Sequence, residues 1–183
     1  MTGKAMPCYP GDLSKRSCHF GNLPLYLQQV ADPCGGMRAM SMVLMEMARK
    51  LGGAAVLGGA VRSQTDLALA VQRRLPLETL KGLSQAGLSD KEIERFVIPQ
   101  RTRRHRQEKN QPLTIDESDR AVRLVRIQTI TEETFGDLAK ASTWLRKPLA
   151  ALAGETPLDI AQTESGARVI ETMLAKIAWG AAA

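Results

Sequence analysis

The chain of 183 residues carries a net charge of +6 and a pI near 9.5, an excess that points to a polyanion: nucleic acid first, an acidic protein surface second, a membrane surface third. Hydrophobic residues at 44% against charged residues at 24% exclude a disordered chain. Aromatics at 4% leave the core to Leu, Ala, Ile, Val and Met, which suits helices better than strands.

Residues 1–49 read as a flexible arm, or as an extension ahead of a true start near Met40–Met47. They hold four prolines, all three cysteines and five methionines between Met37 and Met47, with only a short helix over Met40–Lys50 suggested. Cys8, Cys18 and Cys34 are odd in number and irregular in spacing, which argues against a disulfide framework and for a reducing cytoplasm. Cys18 and His19 lack a nearby Cys-x-x-Cys pair, so no metal site is expected. Neither a signal peptide nor a membrane-length apolar window is visible. Leu51–Val61, with Gly52, Gly53, Gly58 and Gly59, reads as a flexible joint without the spacing of a phosphate loop.

Helix signals then become regular. Ser63-x-x-Asp66 opens a segment to Arg74, Pro76 starts a helix that Gly87 ends, and Ser89-x-x-Glu92 is a capping box ahead of Ile93, Phe96 and Val97. Thr114-x-x-Glu117 opens the longest helix, in which Asp116–Arg120 and Asp119–Arg123 are spaced for surface pairs and Arg126 extends a solvated stripe. Asp137–Lys147 is a helix burying Leu138, Ala141 and Leu145, Thr156-Pro157 begins a short one, and Ala167–Trp179 closes the chain with Gly180 as its stop. No segment carries strand chemistry; the expected fold is all-α.

The informative stretch is Leu88–Lys109, with two short helices around a break at Phe96–Pro99, locked by Ile93, Val97 and Ile98. That is the layout of a helix-turn-helix. Its second helix holds Arg101, Thr102, Arg103, Arg104, His105 and Arg106, residues suited to base edges and phosphates in a major groove. Four arginines on little more than one turn repel one another unless something anionic compensates; an uncompensated exposed helix is the bland alternative. Two histidines in the whole chain leave catalytic and metal constellations without enough members, and the carboxylates sit in caps and first turns. Neither an enzyme nor a cofactor is expected.

The C-terminal run Ala141-x-x-Trp144-Leu145, Pro148, Leu152-x-Gly154-x-x-Pro157-Leu158, Thr163-Glu164-x-Gly166-Ala167 and Leu174-x-x-Ile177-x-x-Gly180 resembles the Xre-type antitoxins of RES–Xre toxin–antitoxin modules. Their C-terminal toxin-binding domain is shared with MbcA and ParS antitoxins. Pro99-x-x-Thr102-x-x-x-Arg106 and Leu113-x-x-x-Glu117-Ser118-Asp119-Arg120 agree, so that the likeness covers about residues 50–183. The resemblance implies a homodimeric cytoplasmic antitoxin whose helix-turn-helix (50–112) binds the operator of its own operon. Its C-terminal part (113–183) then binds a RES-family toxin with an ADP-ribosyltransferase-like fold, shutting off a pocket where the toxin degrades NAD.

On the last helix Trp179 suits a partner's pocket, beside the small Gly180, unless it packs on Trp144; Arg168, Glu171 and Lys176 are the polar residues placed to meet a toxin. Gly166 reads as a close-packing residue. Two rivals stay open: a stand-alone transcriptional regulator whose C-terminal helices only dimerise, and an adaptor whose arginines grip an acidic protein.

Overall fold

A computed structural model describes residues 36–180; Cys8, Cys18, His19, Cys34 and the tail Ala181–Ala183 lie outside the described residues. The described residues form helices joined by turns and loops, with no strand among them: α1 (Gly36–Lys50), α2 (Gly53–Leu57), α3 (Gln64–Gln72), α4 (Thr79–Gln85), α5 (Asp90–Phe96), α6 (Gln100–Glu108), α7 (Ile115–Phe135), α8 (Leu138–Arg146), a 3-10 turn (Ala150–Leu152), α9 (Pro157–Ile160) and α10 (Glu164–Ala178). No described helix is long and apolar enough to cross a membrane.

The helix starts follow local chemistry. Ser63 with Asp66, Ser89 with Glu92, and Thr114 with Glu117 each form the complete capping box, hydroxyl to N3 amide and carboxylate back to the cap amide. Asp137 and Thr156 cap α8 and α9. The Thr163 hydroxyl accepts the Gly166 N–H at 3.0 Å, which starts α10 at Glu164, three residues ahead of the expected Ala167. Pro76 does not begin a helix as expected. Arg74 adopts a φ of 69° before it, and residues 76–78 form a turn leading into α4.

The long helix α7 is the axis of the molecule, in contact with α1, α3, α4, α8 and α10. Its first half joins Leu67, Leu75, Leu80, Leu83, Ile93, Phe96, Val97 and Ile98 in one apolar core. Its second half, through Ile127 and Ile130, joins Leu145, Leu152, Ala161, Ala167, Ile170 and Leu174 in another. Leu158 of α9 reaches into the first core, tying the C-terminal helices to the N-terminal ones. Leu138, expected inside, is 50% exposed at the first residue of α8; Ala141 and Leu145 carry that helix's buried face.

The flexible arm expected over 1–49 does not hold for its last part. Leu44, Met47 and Leu51 repeat at helical spacing and lie in the first core, and the Lys50 ammonium pairs with Glu132 of α7 at 2.5 Å with almost no solvent contact. The expected joint at 51–61 is likewise folded: α2 occupies part of it, and Leu57 and Val61 are buried. The glycine needed for this packing lies elsewhere. A Cβ at Gly82 in α4 would collide with the Lys50 carbonyl oxygen, so only glycine lets α1 and α4 approach this closely.

Candidate functional site

Two surfaces carry chemistry. The first is built by α5, the break at residues 97–99 and α6. Ile93, Val97 and Ile98 are each 1% exposed and lock the break as expected, while Glu94 faces solvent. Helix α6 starts at Gln100 with Pro99 as its cap and buries none of its residues. None of its residues belongs to either apolar core, so its sequence is free to serve a surface purpose.

The six residues expected to meet a polyanion do not share one face. Arg101, Arg104 and His105 are exposed on the outer side of α6, with Glu108 at its far end, and the two arginines have no carboxylate partner among the described residues. Thr102 is half-buried on the flank. Arg103 reaches only the exposed Asp90 carboxylate, at 3.5 Å. Arg106 departs from the expectation: it turns inward, pairs with Glu117 and donates to the Pro112 carbonyl oxygen at 3.2 Å. Arg106 therefore anchors α6 to α7 and is withheld from a ligand.

Several arginines elsewhere are matched with acid, whereas Arg73 and Arg74 reach only backbone carbonyl oxygens and Arg120 forms no ion pair among the described residues. Arg49 pairs with Glu46, Arg95 with Asp159, and Arg146 with Glu92. The arginines of α7 were expected as a solvated stripe, and Arg120 is exposed in that way, but the other two are not. Instead Arg123 bridges Asp119 and Glu164, and Arg126 bridges Glu164 and Glu171 at 2.7 Å, stitching α7 to α10. Of the two surface pairs expected on α7, Asp119–Arg123 forms and Asp116–Arg120 does not: both of the latter are exposed and stay apart, as a solvated pair can at little cost. What sets α6 apart is that Arg101 and Arg104 stand together on one exposed helix face, a placement whose positive charge a phosphate backbone would neutralise.

The second surface is the outer face of α10. Gly166, Ala167, Ile170 and Leu174 are buried, and a Cβ at Gly166 would collide with the Ile160 carbonyl oxygen, so this helix seats directly on the end of α9. The opposite face presents Val169, Thr172, Lys176 and Trp179 at spacings of three and four, one stripe of a helix. Trp179 is 56% exposed and Val169 48%. Trp144 packs instead against Phe135, ring centroids 5.7 Å apart, which leaves the Trp179 indole outward.

Of the residues expected to meet a partner here, Lys176, Trp179 and Gly180 are exposed, and Arg168 is exposed with a long 3.6 Å pairing to Glu164. Glu171 is not available: its carboxylate is tucked against Arg126. Burial pushes the Glu171 carboxyl above the ordinary glutamate range, with Arg126 pulling the other way. Glu164 shows the opposite balance. Burial would raise it, but Arg126 and Arg123 together hold it below that range. Val169 was overlooked as a surface residue. Its offset from Ile170, the buried position beside it, was the available signal.

Comparison with known proteins agrees with this division. Residues 66–126 match the antitoxin Xre-like helix-turn-helix domain and residues 131–180 the antitoxin Xre/MbcA/ParS C-terminal toxin-binding domain. The chain is similar to Antitoxin Xre of Pseudomonas putida, 44% identical over 84 residues, which cover 46% of this chain and 53% of that protein. It is similar to the Prs ADP-ribosylating antitoxin of Sphingobium sp., 28% identical over 61% of this chain and 85% of the relative. Antitoxin Xre of Photorhabdus laumondii is 37% identical over 37% of this chain and 46% of its own length. The chain thus spans about half the length of the Xre relatives it matches.

Proposed function

From a chain that joins an antitoxin Xre-like helix-turn-helix domain to an antitoxin Xre/MbcA/ParS C-terminal toxin-binding domain, we propose a type II antitoxin that occludes a RES-family, NAD-degrading toxin and represses its own operon as a homodimer. The observation that carries the reading is the outer stripe of α10, where a large aromatic stands in solvent at the end of a helix whose other face is fully engaged. An exposed tryptophan flanked by a small residue and a lysine suits an anchor that enters a concave partner, because aromatic anchors dominate interface energetics. Inhibition by filling a pocket needs no catalytic residue, so the protein acts without being an enzyme. Operator binding falls to Arg101 and Arg104 in the major groove, with Thr102, Arg103 and His105 flanking them.

The test is co-expression with a RES toxin, following growth and cellular NAD. Cutting the chain before Ala167 would remove Ile170 and Leu174 from the core and unfold the domain, so the informative variants are Trp179→Ala and Lys176→Glu on the outer face. Protection by the wild-type chain and loss of protection by these folded variants supports the reading. A folded wild-type chain that leaves NAD depleted while still binding DNA turns the assignment to a stand-alone regulator.

A further inference from the structure

Two ion pairs join α5 to α8 and α9, and they are charge-reversed copies of one another. In the first, Arg146 of α8 grips the Glu92 carboxylate of α5 bidentately, Nε at 2.7 Å and Nη2 at 2.8 Å, and donates to the Gly87 carbonyl oxygen at 3.0 Å. Glu92 is the capping-box residue of α5 and simultaneously accepts the Ser89 N–H at 2.7 Å. In the second, Arg95 of α5 lies 2.9 Å from Asp159, whose carboxylate also holds the Thr156 hydroxyl at the start of α9. Both pairs border one shallow cleft with Phe96 and Leu158.

The placement matters because α5 leads directly into the break and α6, the unit that carries Arg101 and Arg104. Glu92 stands in the first turn of α5 and Arg95 in its last, so the two pairs fix both ends of the helix that carries the break and, beyond it, α6. A bidentate arginine fork fixes orientation as well as distance. We infer that Arg146 and Asp159, residues of the toxin-binding domain, are positioning residues for DNA binding: they hold α5, and through it α6, in the register that fits the groove. Neither touches DNA. Whatever displaces α8 or α9 on partner binding changes DNA affinity, and by linkage DNA changes partner affinity equally.

The inference rests on the DNA reading above, and the experiment separates the two. Affinity of the full chain for a duplex of its own upstream region, with an unrelated duplex of equal length as control, is measured across salt for wild type, Arg146→Gln, Arg146→Lys, Glu92→Gln and the Glu92→Gln/Arg146→Gln double variant. Glutamine at 92 preserves the capping box while removing the charge. Folding is monitored in the same samples by urea denaturation. The expected result is a loss of about tenfold for Arg146→Gln, a smaller loss for Arg146→Lys, and a double variant no worse than the single ones. The salt slope stays at its wild-type value.

A slope reduced by about 0.9 per protomer would place Arg146 on a phosphate and overturn the inference. So would additive losses in the double variant, or affinities that track only the unfolded fraction. A wild-type chain that binds neither duplex overturns the DNA reading and this inference with it. A wild-type chain that binds while Arg146→Gln binds equally well overturns the inference alone.

Discussion

Arg106 on α6 and Glu117 on α7 share a carboxylate oxygen with the cap of α7: Glu117 Oε2 accepts from the Arg106 guanidinium and from the Thr114 N–H, the latter at 2.7 Å. Both side chains are largely buried. One acid therefore starts the central helix and tethers the outermost one.

Arg106 and Arg104 should accordingly separate in two measurements. Arg106→Ala leaves a buried carboxylate without its partner and is expected to lower folding stability by about 2 kcal/mol, read by urea denaturation, with the salt slope of DNA binding unchanged. Arg104→Ala should leave stability within about 0.5 kcal/mol and reduce the salt slope by about 0.9 per protomer. The reverse pattern would exchange their roles.

What the sequence made legible here was whatever depends on near neighbours. The capping boxes at Ser63, Ser89 and Thr114 are complete within four residues, and each forms. The side of α6 that Arg106 occupies depends on Glu117, eleven residues away and across a turn. The engagement of α1 depends on Glu132, 82 residues from Lys50. Leu44, Met47 and Leu51 did carry a helical repeat, but the methionines and the following glycines masked it. On α10 the buried and exposed faces were readable from period; the loss of Glu171 to Arg126 was not, since α7 supplies the partner.

Leu44 tests whether α1 is part of the fold. With 3% exposure in the first core, Leu44→Ala should cost about 3 kcal/mol. A flexible arm would leave urea unfolding unaltered. A companion variant, Met42→Ala, alters an exposed residue of the same helix and should change stability by less than about 0.5 kcal/mol.

Acid should weaken the contact between the two domains before it unfolds either core. Burial alone would raise the Glu92 pKa, but the Arg146 ion pair and the hydrogen bonds from Ser89 hold it below the ordinary glutamate value. A depressed folded pKa means that the unfolded chain binds the proton more tightly. The stability Glu92 contributes is therefore complete above the ordinary glutamate pKa and is lost as pH falls through the lower folded one. Denaturation followed across that acidic window should show a shallower pH dependence in Glu92→Gln than in wild type. Identical slopes would mean that Glu92 titrates alike in both states.

The two tryptophans offer the sharpest contrast between folding and binding. Trp144 is half-buried and packs on Phe135 at the edge of the second core, so Trp144→Ala should cost about 2 kcal/mol of stability. Trp179, 56% exposed, has little packing to lose, and Trp179→Ala should leave urea unfolding nearly unchanged. If the indole enters a toxin, its removal should weaken the complex by about 2 kcal/mol or more, roughly thirtyfold in Kd, read by calorimetry with purified toxin. Gly166→Ala supplies the opposing control: its new methyl group would press on the Ile160 carbonyl oxygen and should lose toxin binding together with about 2 kcal/mol of stability. Loss of toxin binding with intact stability in Trp179→Ala, beside joint loss in Gly166→Ala, assigns the outer face of α10 to the partner and its inner face to the core. Unaltered toxin affinity in Trp179→Ala moves the contact away from the end of α10.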